Sequence, residues 1–569
     1  MTRSRAAPAI GSRRRFVQGL ASGALTAGAG ARGLAWAASR SPAELSGTDF
    51  HLEIGALEVS FTGKRRTATA VNGQIPGPLL RWREGDAVTL RVTNRLPVAS
   101  AIHWHGVLVP SSMDGVPGLS FDGIRPGETF VYRFRVHQSG TYWYHGHSGF
   151  QEQTGLYGPI IIEPRGGEAR RAERDYVVML SDWSDSDPDH IYRLLKVDDE
   201  YFNFGRRTLG DFFSDARKEG LRRTLDDRLM WGRMRMDPRD LADVSGYTYT
   251  YLMNGTSPAA NWTGLFRRGE RVRLRFINSS SMSFFDVRIP GLALEVIAAD
   301  GQNVEPVTVE EFRFGPGEVL DAIVAPRDDH AYTIFAQSLD RSGYARGTLA
   351  PQPGMQAQVP PLDPRPLLAK VDMGMQEGMS GMAGASMGKM SGMAGMAGMS
   401  GMSGMGGMML STRLDDPGAG LRGNGRRVLT YADLHTLGGP IDPRAASHQV
   451  EVHLTGDMRR FIWSLDGRTF AQSEPLRLRY GERVRLALVN ETMMSHPMHL
   501  HGLWGEVLSA DGQFLVRKHT ITVQPGQRIS YDVSANALGR WAYHCHLLYH
   551  MAAGMFREVR VVPSQELSP

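Results

Sequence analysis

Polar and apolar residues alternate over short runs along this chain, and one such run occurs three times, from Gly85 to Asn94, from Gly269 to Asn278 and from Gly481 to Asn490. Each opens on glycine and an acid, places apolar residues at every second position and closes on asparagine. Alternation of this kind presents one face to a core and the other to water, as a half-buried antiparallel strand does. A Pro-Gly turn leading into a further strand follows each copy, at Pro126-Gly127-Glu128, Pro316-Gly317-Glu318 and Pro525-Gly526-Gln527. Two markers recurring in one order predict an all-β chain of three Greek-key β-sandwiches, over about 48–165, 170–350 and 425–565. No helix-length amphipathic period stands out, and the less regular stretch around 190–245 is expected to hold one short helix.

Between the second and third sandwiches, 351–424 reads as a linker. Within it, 13 of the 37 residues of 373–409 are methionine and most others are Gly, Ser or Ala. That composition has no branched or aromatic residues with which to build a core, so a flexible insert is expected. Met387, Met390, Met393, Met396, Met399, Met402, Met405 and Met408 fall at every third position, which would align their sulfurs on one face of an extended polyproline-like chain. Thioethers without histidine or cysteine favour Cu(I). An inert linker would need only Ser and Gly.

A length of 569 residues suits three domains and connecting segments. The net charge of +5 invites a polyanion or membrane partner, but the first 37 residues hold six arginines and no acid or lysine. Without them 58 basic residues face 59 acidic ones, which leaves no electrostatic ground for nucleic-acid binding. The basic start runs through Ser12-Arg13-Arg14-Arg15-Phe16-Val17 into a Gly/Ala-rich stretch and Ala35-Trp36-Ala37, resembling a twin-arginine signal peptide over 1–37 with an A-x-A cleavage site. A periplasmic protein with no stable membrane anchor is expected. The one cysteine, Cys545, excludes an intrachain disulfide, so stability must come from packing and metal.

Four short motifs carry the chemistry. The first sandwich supplies His103-Trp104-His105 and His145-Gly146-His147; the third supplies His496-Pro497-Met498-His499-Leu500-His501 and His544-Cys545-His546, with His550 and Met555 beyond. The middle copy reads Ser281-Met282-Ser283 where histidines would stand. On a strand Cys545 faces one way while His544 and His546 face the other, so a thiolate and two imidazoles reach two metal sites through a few covalent bonds. Two imidazoles, a thiolate and a weak axial thioether make a blue-copper set, here His496, His550, Cys545 and Met555. The eight remaining histidines arrive as four paired motifs, as three further coppers at a domain interface would require. Structural zinc closes with four ligands and would not explain them.

These motifs resemble those of the multicopper oxidases across about 48–565, with no ligand missing. The resemblance implies three cupredoxin-like domains, the middle one without metal, four coppers per chain, and oxidation of a reductant coupled to reduction of dioxygen to water. It assigns His103 and His499 to the type 2 copper, His105, His145, His147, His501, His544 and His546 to the type 3 pair, and His496, Cys545, His550 and Met555 to type 1. Asp114 matches the family acid that delivers protons during O–O cleavage; Asp-Gly is also an ordinary turn. A second family carboxylate, one residue past the last type 1 histidine, is replaced by Met551.

Met493 and Met494 precede His496, and one of them, Met494, stands where similar cuprous oxidases place a Cu(I) contact; both could equally be core residues. The export signal, the Gly-Met insert and Asp457-Met458-Arg459-Arg460-Phe461 resemble the copper-resistance oxidases. This implies Cu(I) as reductant in copper tolerance, with phenols as a side activity; a monomer is expected. A laccase-type phenol oxidase and a periplasmic copper-sequestering protein are the competing readings. Storage needs no thiolate-linked path to a second site.

Overall fold

The structure is a computed structural model and describes residues 42–234, 237–373 and 411–564. The export signal expected over 1–37 and the methionines from Met387 to Met408 lie outside the described residues.

In each sandwich the recurring run forms a strand with the same two neighbours. Ala87–Asn94 lies parallel to Asp49–Val59 and antiparallel to Thr129–Arg135. Val272–Asn278 lies parallel to Arg174–Trp183 and antiparallel to Val319–Val324. Arg483–Asn490 lies parallel to His448–Asp457 and antiparallel to Arg528–Ser534. These sheets have four, six and six strands, and each copy has a second sheet of five. The alternating apolar residues, such as Val88, Leu90 and Val92, are buried, so the pattern that predicted the strands also makes the core.

The closing asparagine recurs for a physical reason. Asn94 Nδ2 donates to the carbonyls of Val98 and Ile124, Asn278 Nδ2 to those of Ser283 and Phe314, and Asn490 Nδ2 to those of Met494 and Val523. The N–H of Gly127, Gly317 and Gly526 in the three Pro-Gly turns donates back to the carbonyl of the same asparagine. All three glycines have positive φ, which costs glycine little. One buried amide thus ties the turn to the loop that follows the strand. In the first and third copies that loop runs into a histidine motif.

The 190–245 stretch departs from expectation. It holds three helices, Pro188–Val197, Leu209–Glu219 and Leu221–Met234, instead of one short one. Nor is amphipathic spacing missing there: Ile191 and Leu195, four apart, are buried on one face of the first. Its start is set by Asp187, which accepts from the His190 N–H, with Pro188 in the first turn. Thr208 and Asp211 cap the second reciprocally. Caps are local hydrogen bonds that a count of apolar periods does not register.

Where the outer copies carry histidines, the middle copy gathers its loop on Asp182. That carboxylate accepts from Ser281 N and Oγ, Met282 N and Ser283 Oγ. The loop in turn supports the third sandwich, since Leu548 N donates to Ser281 O and Tyr549 N lies 3.3 Å from Met282 Sδ. Among the described residues no helix is long and apolar enough to cross a membrane.

Candidate metal centre

Strand Gly539–Cys545 ends on the cysteine and pairs antiparallel with His496–Leu500, setting Met498 opposite Cys545 and His499 opposite His544. Cys545 Sγ lies 3.5 Å from His496 Nδ1 and 3.8 Å from His550 Nδ1, and the two Nδ1 atoms are 3.2 Å apart. A triangle of two imidazole nitrogens and a sulfur with these edges could hold one metal ion. The opposite ring edges are held: His496 Nε2 by Thr492 Oγ1 at 2.7 Å and His550 Nε2 by Asp243 Oδ2 at 2.8 Å. Met555 is fully buried and bonded through its backbone to both His550 and Cys545. Burial, with the nearby Asp243 carboxylate, pushes the Cys545 thiol up, and burial with the neighbouring His550 ring lowers the pKa of His496, so a thiolate is stable here only beside a compensating cation.

The eight other histidines converge between the first and third sandwiches. His103–His105 pairs with Gly140–His145, the arrangement that His496–Leu500 and Gly539–Cys545 repeat in the third copy. His103 and His501 stack at 3.8 Å between ring centroids and His105 and His499 at 3.9 Å, one residue from each sandwich in both pairs.

The ring tautomers follow from the acceptors. His103 Nδ1 faces the Asp114 carbonyl, His499 Nδ1 the His519 carbonyl and His544 Nδ1 the Cys545 carbonyl, at 2.7 to 2.9 Å. A carbonyl only accepts, so each Nδ1 carries the proton and each Nε2 is left bare. Nε2 of His103, His145, His147, His499 and His546 has no hydrogen-bond partner, while Nε2 of His501 and His544 face each other at 3.0 Å. His105 is turned: Nε2 meets Thr520 Oγ1 and Nδ1 is unpartnered. Bare, buried, mutually facing nitrogens would be costly unless metal takes them, so the residues present fit copper. Burial and neighbouring rings lower the pKa of His105, His145, His147, His499, His501 and His546 well below the usual value, and that of His544 to about 4. All are therefore available as neutral ligands.

Two buried carboxylates flank this set. Asp114 Oδ2 is 2.9 Å from His501 Nδ1, and its Oδ1 is 3.3 Å from His103 Nδ1. Glu152 Oε2 is 2.7 Å from His145 Nδ1, and burial raises its pKa well above the carboxylate range.

The structure thus brings together the eleven histidine and cysteine donors expected to hold copper, with Asp114 against His501 and Met555 tied through its backbone to His550 and Cys545. Met493 and Met494 are 6% and 4% exposed, in the core beside His496. Sequence reasoning missed Asp243, Thr492, Glu152 and His519. Asp243 follows the helices and gives no local signal. Glu152 does give one: it is the single Asp, Glu, Lys or Arg between residues 136 and 162.

Comparison with known proteins agrees with this geometry. Family models described as multicopper oxidase match residues 53–167, 174–354 and 443–565. The chain is 55% identical to a copper resistance protein A homolog of Pseudomonas syringae pv. tomato, over 97% of this chain and 100% of the relative. It is 52% identical to copper resistance protein A of Escherichia coli, over 97% and 99%. Among solved structures it resembles a laccase from Botrytis aclada, with TM-score 0.64, 20% identity and coverage of 93% and 89%, a likeness that speaks to the fold alone.

Proposed function

This chain belongs to the multicopper oxidase family, and from that premise we propose that it is a periplasmic cuprous oxidase serving copper tolerance. As a multicopper oxidase it is an oxidoreductase that uses copper, dioxygen and a reductant. Bound copper supplies one-electron chemistry at the thiolate set and dioxygen reduction at the eight-histidine set.

In this reading His496, His550, Cys545 and Met555 hold the type 1 copper, and His103 and His499 the type 2 copper. His105, His145 and His546 take one copper of the type 3 pair and His147, His501 and His544 the other. Cys545 links the two centres twice, through its bonds to His544 and His546 and through its carbonyl, which accepts from His544 Nδ1. Asp114 holds His501 through Oδ2, and its Oδ1, without a hydrogen-bond partner, can carry a proton toward dioxygen.

The observation that carries Cu(I) as substrate is the entry edge. His496 and His550 are fully buried, and among the described residues no open cleft exposes them to a phenol ring. Beside His550, Asp243 and Asp240 are buried with Oδ1 atoms that have no donor, which favours a small cation. The copper-resistance relatives support the same reading. The methionines of 373–409 would gather Cu(I); five residues before that segment, Leu368 N donates to the carbonyl of Pro238, in the stretch that carries Asp240 and Asp243.

Oxygen uptake by the copper-loaded protein with Cu(I) tests the proposal, comparing wild type, Cys545→Ser and a deletion of 373–409. Uptake driven by Cu(I), abolished in Cys545→Ser and weakened by the deletion, is expected. Cu(I) binding without uptake would mean a copper store. Uptake with phenols alone would mean a laccase.

A further inference from the structure

Several other deeply buried acids in this protein face an arginine. Asp286 meets Arg313 and Arg341, Asp321 meets Arg273 and Arg275, and Glu506 meets Arg483. Glu152 is equally buried, at 3% exposure, yet its ion-pair partners among the described residues are two histidines. Oε2 takes His145 Nδ1 at 2.7 Å, closer than the Gly146 carbonyl at 3.1 Å. Oε1 points across the seam toward His546 Nδ1 at 4.0 Å, and neither of these atoms has a hydrogen-bond partner. Leaving a carboxylate buried without a cation is costly. Copper held on the side that the bare Nε2 atoms of these imidazoles face would supply the compensating positive charge.

His145 and His546 belong to one group. With His105 their ring centroids lie 4.8 to 5.5 Å apart, while His147, His501 and His544 form the other group. Asp114 holds His501 in the second group. Glu152 occupies the corresponding place beside the first.

We propose that Glu152 is a positioning residue for the copper held by His105, His145 and His546, fixing the Nδ1–H tautomer of His145 and steering His546 of the third sandwich onto the same metal. The inference rests on the reading that these histidines hold copper. A carboxylate behind a ligating imidazole fixes the ring and raises its basicity, and losing one typically costs 10–100-fold in metal affinity. Two sandwiches that share no covalent bond near this site are thereby joined through one side chain that contacts a ligand from each.

The test is copper titration of the full-length, copper-free protein against a competing chelator, for wild type, Glu152→Gln and Glu152→Ala, with near-ultraviolet absorption and EPR of the coupled pair. The visible band of the cysteine-bound copper reports folding. Glu152→Ala should bind copper at the eight-histidine site roughly 10–100-fold more weakly with the visible band unaltered, and Glu152→Gln should fall between Ala and wild type, because its amide oxygen still accepts from His145 Nδ1. Wild-type affinity and spectra in Glu152→Ala overturn the proposal. If Glu152→Ala does not fold, wild-type affinity and spectra in Glu152→Gln overturn it instead. A wild type that fails to load the eight-histidine site would sink the underlying copper reading; a loaded wild type matched by Glu152→Ala sinks only this inference.

Discussion

Asp114, in a turn of the first sandwich, holds the Nδ1 of His501, a residue of the third, at 2.9 Å. One carboxylate therefore orients an imidazole that its own domain does not supply, beside the eight-histidine set where the proposed function puts dioxygen reduction. Asp114→Asn should preserve copper content and lower the turnover number roughly 10²–10⁴-fold, the range for removing a general acid. Stopped-flow absorption checks this: reoxidation of the reduced enzyme by dioxygen should slow while reduction of the blue centre does not. Equal slowing of both steps would count against the assignment.

Asp243 acts on the other centre. A carboxylate behind His550 makes that imidazole a better donor to the oxidised metal, so Asp243→Asn should raise the type 1 reduction potential and weaken copper there by roughly 10-fold or more. A redox titration of the visible band measures the first effect and chelator competition the second. An unchanged potential would show that the contact is structural only.

The repeated asparagine separates stability from metal binding. Asn490→Ala and Asn278→Ala each strip donors from two buried carbonyls, and each should destabilise the protein by about 1–3 kcal/mol. Only Asn490→Ala should also shift the visible band, because its loop leads into His496. Denaturant unfolding and visible absorption of both variants decide the matter.

The buried histidines give a pH dependence with a definite sign. Burial lowers the pKa of His519 and His544 from 6.5 to about 4, so the unfolded chain takes up protons that the folded chain refuses once pH falls below 6.5. Stability of the copper-free protein should therefore be fully present above about pH 6.5 and decline as pH falls toward about 4. The copper-loaded protein should resist longer, since metal must be displaced before its ligands charge. Melting curves of both forms across this window provide the measurement.

The three sandwiches and the histidine and cysteine motifs that the fold gathers were legible in the sequence because they rest on local signals: period-two alternation, Pro-Gly turns and histidines two apart on strands. The helices at 188–234 were not, since their ends are fixed by caps at Asp187 and Thr208. Asp243 and Glu152 reach His550 and His145 only after distant elements pack, and no spacing rule encodes that. Thr492 lay four residues before His496 in plain view. Its contact depends on the loop that Asn490 ties down.

The division of ligands also fixes an order of manufacture. Every residue proposed for the cysteine-bound copper lies between His496 and Met555, while the eight-histidine set joins that late stretch to histidines made some four hundred residues earlier. A chain interrupted before residue 496 carries His103, His105, His145 and His147 but no opposing face for them. On the proposed assignment such a fragment would not gather three coppers and so would not take up dioxygen and release it half-reduced. The hazardous chemistry is available only to a finished molecule.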